Sequence, residues 1–281
     1  MPHFAFPPHA ALAGAIESVW VQEEPEVEPE SVEPTVLLPT GRAALVFQYG
    51  DPFEAELDDG SWRRIPPLSF EAQRTGSRRV RSVGRTGLVL VNFRPWGAAE
   101  FFGPQAELAE ELVDARALLS ARALACVCEE LAHAASAADR RDIVERLLLA
   151  LPRRRSDPLV RVAAERILGR AGGERVAALA AHFGLSRRQL TRRFVECLGL
   201  APKELMRIAR FQHALRRACS GVPWAEVAPT AGYHDQPHLV KECLALSGHT
   251  PSALLPGLGE REVGRFYNDT DALLMPYASY L

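Results

Sequence analysis

Two arginines about one helical turn apart, Arg188 and Arg192, offer a chemistry that the sequence alone can suggest. A guanidinium group donates two parallel hydrogen bonds, and the O6 and N7 atoms of guanine accept such a pair in the major groove of DNA. Each contact of this kind discriminates between bases by roughly 1–3 kcal/mol. The two side chains could therefore read base edges if one helix directs both of them outward.

The elements that would position these arginines are two short helices separated by a glycine turn. Apolar residues recur at helical spacing over residues 176–183, and Gly184 then supplies the positive φ with which a helix ends. Ser186 and Gln189 have the spacing of a capping box, in which each side chain bonds the other's backbone N–H. The pattern predicts a helix-turn-helix motif.

The second helix of this motif is predicted to be apolar on one face and polar on the other. If Leu190 and Phe194 pack against the first helix, a rotation of 100° per residue turns Arg188 and Arg192 outward. The predicted DNA-binding surface consists of Ser186, Arg187, Arg188, Gln189, Thr191, Arg192 and Arg193. Arg187 and Arg193 lie nearer the shoulders of the helix, where we expect phosphate contacts instead of base reading. The alternative is that the arginine-rich face is only solvated.

A second copy of the motif follows over residues 222–247. It has a turn at Gly232, a helix cap at Asp235 and an inward Leu239. The predicted surface of its second helix consists of Gln236, Pro237, His238, Val240 and Lys241. A long amphipathic helix that opens at Pro202 and ends near Ser220 would separate the two motifs.

Two prolines weaken the second motif as a base reader. Pro229 lies inside its first helix, where a proline costs ~3 kcal/mol if the helix is otherwise regular. We therefore expect that helix to start late or to bend. Pro237 has no donor to offer a base, so the second motif is predicted to contribute mainly phosphate contacts and shape.

Together the motifs resemble the DNA-binding domain of the AraC/XylS family of bacterial transcription regulators, over about residues 157–255. The resemblance rests on GLSRRQLTRRF at 184–194, LGLAPKEL at 198–205 and AGYHDQPHLVK at 231–241. It implies two recognition helices in successive major grooves on one side of the duplex. It also implies matching roles for two sets of residues: Arg188, Thr191 and Arg192, and Gln236, Pro237 and Lys241. The chain departs from the family at Leu239 and Cys243, where core phenylalanines are usual.

Length and composition agree with a two-domain protein. The chain has 281 residues and 47% hydrophobic content, enough for two cores. No apolar run reaches the ~18 residues of a membrane span, and the N-terminus lacks the features of a signal peptide. The five cysteines are scattered, as is typical of reduced thiols. We therefore expect a cytoplasmic protein without membrane contact.

The charge is distributed unevenly along the chain. Residues 153–255 contain 17 Lys and Arg against 8 Asp and Glu, a net charge of +9, whereas the remainder carries −11. A positive field confined to one domain is expected of a module that binds phosphates.

The first half of the chain reads as β structure followed by helices. Predicted strands at 17–22, 35–39, 43–50 and 88–95 suggest a small barrel or sandwich. After Pro95 two apolar helical stripes follow, which would form core or part of a dimer interface. Their members are Leu124, Val127, Cys128 and Leu131, then Ile143, Val144, Leu147, Leu148 and Leu151. The predicted fold class is α+β, with a β-rich first domain and an all-α double helix-turn-helix domain.

The phrases LPTGRAALVFQYGDPF at 38–53 and VNFRPWGAAEFFG at 91–103 resemble the N-terminal domain of one subgroup of AraC-type regulators. The resemblance implies a cupin-like domain for sensing or dimerisation. A ligand pocket there would need convergent aromatic and polar groups. The candidates are Trp20, Phe47, Tyr49, Trp62, Gln73, Arg94 and Trp96, which could equally be core residues.

The predicted boundaries are 1–152 for the sensor or dimerisation domain, 157–255 for the DNA-binding domain and 256–281 for a tail. Residues 152–156 form the linker, and Asp157 with Pro158 opens the second domain as cap and first-turn residue. The glutamate-rich and proline-rich segment 23–34 is predicted to be a solvated loop or an acidic arm that contacts the basic domain.

The sequence thus predicts a sequence-specific DNA-binding transcription regulator that responds to a small-molecule effector. Its expected partners are double-stranded DNA, possible dimerisation with a second copy, and RNA polymerase if it activates; no cofactor is expected. An enzyme is the rival class, but His3, His9 and His133 lack metal-ligand spacing and no nucleophile elbow is present, so no catalytic or metal site is assigned. A protein-interaction scaffold or ligand-binding protein with degenerate DNA-binding modules is the other alternative, favoured by Pro229 and Cys243.

Overall fold

The chain was analysed as a computed structural model that describes residues 3–24 and 34–254. It forms two compact units. The first unit contains Met1–Pro34, Arg42–Ala72 and Arg79–Ser156; the second contains Thr35–Gly41, Gln73–Arg78 and Asp157–Leu281. Most of the predicted acidic segment, residues 25–33, and the tail 256–281 lie outside the described residues.

The β structure consists of short antiparallel strands. In chain order they are β1 His3–Phe6, β2 Ile16–Glu24, β3 Thr35–Leu37, β4 Ala44–Gln48, β5 Phe53–Glu56, β6 Trp62–Arg64, β7 Leu68–Glu71, β8 Arg78–Ser82, β9 Thr86–Phe93 and β10 Leu112–Asp114. The four predicted strands are present as β2, β3, β4 and β9. The other six were not predicted.

The first unit is built on a six-stranded antiparallel sheet in the order β1-β2-β9-β4-β7-β10. Strand β5 pairs with β6 on one side and with β8 on the other in a second antiparallel sheet. Within the described residues neither sheet closes, so the barrel that the sequence allowed is not formed. The six-stranded sheet ends at β1 and β10, strands of 4 and 3 residues that do not pair with each other.

Three helices belong to the first unit: α1 Gly97–Phe102, α2 Ala121–His133 and α3 Ala137–Ala150. Their apolar residues share one core with one face of the six-stranded sheet. That core contains all the members of the two predicted stripes except Cys128, which is exposed, and Leu151, which packs against the core while partly buried. The stripes are therefore core, as expected of amphipathic helices on a sheet.

The helices described in the second unit include α4 Pro158–Gly169, α5 Val176–His182, α6 Arg187–Leu198, α7 Pro202–Cys219, α8 Trp224–Thr230 and α9 Gln236–Ser247. Asp157 caps α4 through hydrogen bonds from the Leu159 and Val160 backbone, and Pro158 occupies its first position. Helix α7 is the predicted helix that separates the two motifs.

The long helix α7 has buried residues on two sides. On one side Ile208, Phe211 and Leu215 pack with Leu200, Cys243 and Leu246. On the other, Ala214 and Ala218 pack with residues of α8, with Tyr233 and with Leu239. Leu38 belongs to the first of these clusters, and the Gln212 side chain donates a 2.7 Å hydrogen bond to the Pro39 carbonyl. The segment 35–41 thus completes the core of a unit that is otherwise built from residue 157 onward.

Candidate nucleic-acid interface

Helix α6 begins with the capping box that the sequence predicts. The Gln189 backbone N–H donates to Ser186 Oγ at 3.2 Å, and Gln189 Oε1 accepts from the Ser186 backbone at 2.9 Å. Gly184 precedes it with φ +65°, which allows the tight turn after α5. Gln189 is one of the predicted DNA contacts. Its side-chain oxygen already accepts a hydrogen bond in the cap, so its side-chain NH2 group is the part that could bond to DNA.

The two faces of α6 differ sharply in exposure. Leu190 and Phe194 are fully buried. Arg187, Arg188 and Arg192 are exposed, and Thr191 is half-buried. The structure therefore places the three arginines together on one solvent face, over a backing of apolar side chains.

Arg193 is held by an acidic partner. Its Nε lies 2.8 Å from Asp157 Oδ2, and Asp157 also caps α4. A phosphate would have to compete with this carboxylate for the Arg193 guanidinium group. Arg193 is therefore less available than the other arginines of the predicted surface.

The second motif begins its helix α9 at an aspartate cap. Asp235 Oδ1 accepts from the His238 backbone at 2.8 Å, and Oδ2 lies 2.9 Å from His234 Nδ1. Two hydrogen bonds lower the pKa of Asp235. The larger effect comes from the His234 side chain and the smaller one from the His238 backbone. Gln236, Pro237 and Lys241 are exposed, in the outward direction that the rotation predicts.

Two other predicted contacts on α9 face inward in part. His238 and Val240 are half-buried. The His238 ring packs edge-to-face on Tyr233 with centroids 5.3 Å apart, and its Nδ1 is 3.3 Å from the His234 backbone nitrogen. His238 thus supports the start of α9 instead of pointing outward.

The departures from the family pattern are accommodated. Helix α8 runs from Trp224 to Thr230 with Pro229 inside it, so the expected late start is wrong. The Thr230 hydroxyl donates to the Glu226 carbonyl at 2.8 Å, and the helix ends at Thr230 with Ala231 as its C-cap. Cys243 is fully buried, where burial raises the pKa of its thiol, and it packs in the core shared by α7 and α9.

A cleft of about 510 Å³ lies between α7, the start of α5 and α9. Its basic lining residues are Arg175, Lys203, Arg207, Arg210 and His238, and its acidic ones are Glu174 and Glu242. Of these cleft residues, only His238 was predicted from the sequence as a DNA contact. The spacing of Lys203, Arg207 and Arg210 on one face of α7 is the signal that could have found the cleft.

The seven candidate ligand residues do not line one common pocket. The register pairs Trp20 with Leu90 and Phe47 with Val89, so the two aromatic rings lie on opposite faces of the six-stranded sheet. Phe47 belongs to the core beneath the helices. Gln73 belongs to the second unit.

Four of these residues have structural partners within the first unit. Trp96 is fully buried and donates to the Gly14 carbonyl at 3.0 Å, and Arg94 donates to the Ala13 carbonyl at 2.8 Å. The Tyr49 hydroxyl donates to Glu23 at 3.0 Å, and Trp62 lies 4.3 Å beneath the Arg81 guanidinium. Each of these four side chains thus has a partner within the first unit, and its role toward a ligand stays a prediction.

Comparisons with known proteins agree with this geometry. Residues 179–256 match the profile of a helix-turn-helix domain, and residues 5–114 match a domain of unknown function, DUF6597. A comparison with curated protein sequences finds no match.

Three solved structures are similar to the chain. ToxT from Vibrio cholerae O395 has 10% identity over 86% of this chain and 99% of its own, with a TM-score of 0.47. Wild-type ToxT from Vibrio cholerae strain SCE256, bound to an unsaturated fatty acid, has 9% identity over 86% and 96%, with a TM-score of 0.47. The AraC-like transcriptional activator CuxR has 15% identity over 82% and 89%, with a TM-score of 0.25.

Two capped helices with exposed basic residues, each set against a preceding short helix, define a double helix-turn-helix protein that binds DNA. The helix-turn-helix match covers most of both motifs. The match over residues 179–256 agrees with the resemblance of this region to the DNA-binding domain of AraC-type regulators. Within its described part, no helix is long and apolar enough to span a bilayer.

Proposed function

We propose that this regulator reads DNA sequence through Arg188 and Arg192, while Arg187 and Thr191 contact the neighbouring backbone. The observation that carries the proposal is the arrangement of α6, where exposed guanidinium groups are backed by buried Leu190 and Phe194. Unpaired arginines on a fixed helix suit bidentate contacts to guanine, because the fork of donors is already oriented.

The second motif has a different role in this proposal. Gln236 and Lys241 are exposed on α9 and supply one amide and one ammonium donor. Pro237 donates nothing, and His238 and Val240 are half-buried. We therefore assign α9 mainly to phosphate contacts, with Gln236 as its one candidate for a base contact.

The experiment is the selection of bound duplexes from a random-sequence pool by the full chain, followed by footprinting of the selected site. The proposal expects two protected segments about one duplex turn apart, with the stronger base preference in the segment contacted by α6. Selection of no common sequence, or strong preference only in the α9 segment, would contradict it.

For the first unit we propose an effector site on the face of the six-stranded sheet opposite the helices. Pairing places Trp20, Leu90, Val46 and Ser69 in one row across this face. Gln22 and Glu71 lie on the same face and are buried with Trp20 and Ser69. The Ser69 hydroxyl is buried without a hydrogen-bond partner among the described residues. Apolar surface interrupted by a few buried polar groups is typical of small-molecule sites.

The effector site is tested by a thermal-shift screen of small organic molecules against the full chain and a Ser69→Ala variant. A ligand of this site should raise the melting temperature of the wild type and lose affinity for the variant. A ligand that binds both equally would place the site elsewhere.

We also propose where the protein acts and which other proteins it contacts. The protein acts in the cytoplasm by binding alone, without catalysing a reaction, and contacts RNA polymerase where it activates. A homodimer would form through the first unit, where Phe4 and Leu149 are exposed apolar side chains. Sedimentation at concentrations around the DNA-binding range tests the dimer.

A further inference from the structure

The cleft between α7, the start of α5 and α9 carries positive charge that its own glutamates do not neutralise. The Glu174 carboxylate accepts two hydrogen bonds from one edge of the Arg166 guanidinium, from Nε at 2.9 Å and from Nη2 at 2.8 Å. These hydrogen bonds hold the pKa of Glu174 below its usual range. Glu242 is similarly bound by Arg207, at 2.9 and 3.2 Å. Both carboxylates are thus committed to partners of their own.

Three cations of the cleft remain without a carboxylate. Arg175 and Lys203 are exposed, and neither forms an ion pair among the residues that the structure describes. Arg210 is half-buried, and its guanidinium lies 5.6 Å from the centroid of the Tyr233 ring. One of its terminal nitrogens donates to the Gly172 carbonyl at 3.3 Å, and its Nε has no partner in the described part of the chain.

The location of these cations matters because the cleft lies between the two motifs. Arg175 immediately precedes α5 of the first motif, whereas His238 and Glu242 belong to α9 of the second. Two helices that read successive major grooves on one side of a duplex must straddle the backbone that separates the grooves. A phosphodiester strand carries one negative charge per nucleotide, and no carboxylate of residues 3–24 or 34–254 is paired with any of the three cations.

We propose that this cleft is a third DNA contact, which binds the phosphates between the two major grooves. Arg175 and Lys203 bind the phosphates, and the contact with the Tyr233 ring orients Arg210 toward them. The inference rests on the proposed DNA reading but concerns residues outside both recognition helices. It assigns the cleft to affinity and spacing, because phosphate contacts fix the position of a protein on DNA without reading bases. Arg207, held between Glu204 and Glu242, positions α9 against α7.

The first experiment needs no variant of the protein. Single methylphosphonate substitutions, which remove one backbone charge each, are placed along the duplex that the wild type selects from a random pool. Neutral linkages between the two protected grooves should weaken binding about as much as those flanking the recognition helices. Weakening only at the flanking positions would overturn the proposal.

The second experiment uses Arg175→Ala and Lys203→Ala in the full chain. Each should weaken binding roughly two- to fivefold on specific and random duplexes alike. Each should also reduce the slope of log K against log salt by about 0.9, the value for one lost phosphate contact. Arg216→Ala removes the same charge from α7 at a position that does not line the cleft, and it should leave the slope unchanged.

In a third experiment, the double variant Arg175→Ala, Lys203→Ala is titrated with the methylphosphonate duplexes. Central methylphosphonates should have a smaller effect on the Arg175→Ala, Lys203→Ala double variant than on the wild type, because Arg210 alone of the three cations remains. Equal effects on the double variant and on the wild type would overturn the cleft as their site. Wild-type protein that binds no DNA at all would instead contradict the proposed function itself.

Discussion

The guanidinium groups of the DNA-binding unit are in three different electrostatic situations. Arg188 is exposed and unpaired within the described chain, Arg193 faces one carboxylate and Arg207 faces two. A free side chain can exchange water for a base or a phosphate, whereas a paired one must first release its partner. The arginines therefore differ in their capacity to bind DNA, although their residue type is the same.

We expect Arg188→Ala to relax specificity at one base pair. The preference at that position should fall by roughly 1–3 kcal/mol, whereas binding to random DNA should remain nearly intact. Competition titrations with single-base variants of the selected site measure both quantities. Arg187→Ala is the comparison, since loss of a phosphate contact should weaken all sequences equally. Uniform weakening by Arg188→Ala would contradict its reading role.

We expect Asp157→Asn to strengthen DNA binding. Asparagine retains the helix cap, while removal of the charge frees Arg193. An exposed ion pair contributes about 0–1 kcal/mol, so the gain should be up to about fivefold in affinity. Glu165→Gln removes the same charge from α4, where Glu165 pairs with Arg161. An equal gain from that control would mean that only net charge matters.

At the scale of the elements, two glycines with similar backbone angles have different neighbours. Gly184 has φ +65° and open space where a Cβ would lie. Gly172 has φ +69°, and a Cβ there would lie 2.0 Å from the Met206 carbonyl oxygen on α7. The first glycine serves only the turn, whereas the second also permits a close approach of the loop after α4 to α7.

Gly184→Ala should therefore cost about 1–2 kcal/mol of stability, the strain of a left-handed alanine. Gly172→Ala should cost clearly more, because the loop and α7 must also separate. Urea denaturation of both variants measures the difference. Equal losses would show that the contact with Met206 is easily relieved.

The helix caps and turns of the second unit were predictable because their signals are local. Ser186, Gln189 and Asp235 form hydrogen bonds with residues within one helical turn. A glycine between two helical patterns indicates by itself a turn with positive φ. Several of the six missed strands depend instead on distant pairing, as β7 does with β4 and β10 with β7. Strands β5 and β8 are rich in charged residues, which hides their strand pattern in the sequence. Glu54 and Arg81 are paired across these strands, with Glu54 Oε2 2.7 Å from Arg81 Nη2. Neither sequence segment is apolar enough to read as a strand alone.

The residues predicted to contact DNA show the same difference between local and long-range information. The outward direction of Arg188 and Arg192 follows from helical rotation, and the structure agrees with it. The pair between Arg193 and Asp157 joins residues 36 positions apart, and the cleft joins three helices. No periodicity within one helix contains that information, because it arises only when helices pack.

At the scale of the whole molecule, the second unit draws on three parts of the chain. Leu38 is 2% exposed in a core otherwise formed by α7, α9 and their neighbours. Residues far from the motifs in sequence thus contribute directly to the stability of the unit that carries them.

We expect Leu38→Ala to destabilise the second unit by about 2–5 kcal/mol, the cost of truncating a buried leucine. Val162→Ala on α4 is the control, because Val162 is 49% exposed and should lose little. Differential scanning calorimetry of the full chain, with DNA binding as a second readout, measures the effect. A change below about 0.5 kcal/mol would contradict the assignment of Leu38 to this core.

The division of the chain at 34/35, 41/42, 72/73, 78/79 and 156/157 also constrains how such regulators can be recombined. A chimera joined at 156/157 would graft the helices onto a foreign first unit while leaving residues 35–41 and 73–78 behind. The transplanted half would then lack the leucine and the carbonyl oxygen that Gln212 needs. Exchange of first units between relatives should succeed only when those two short pieces travel with the helices.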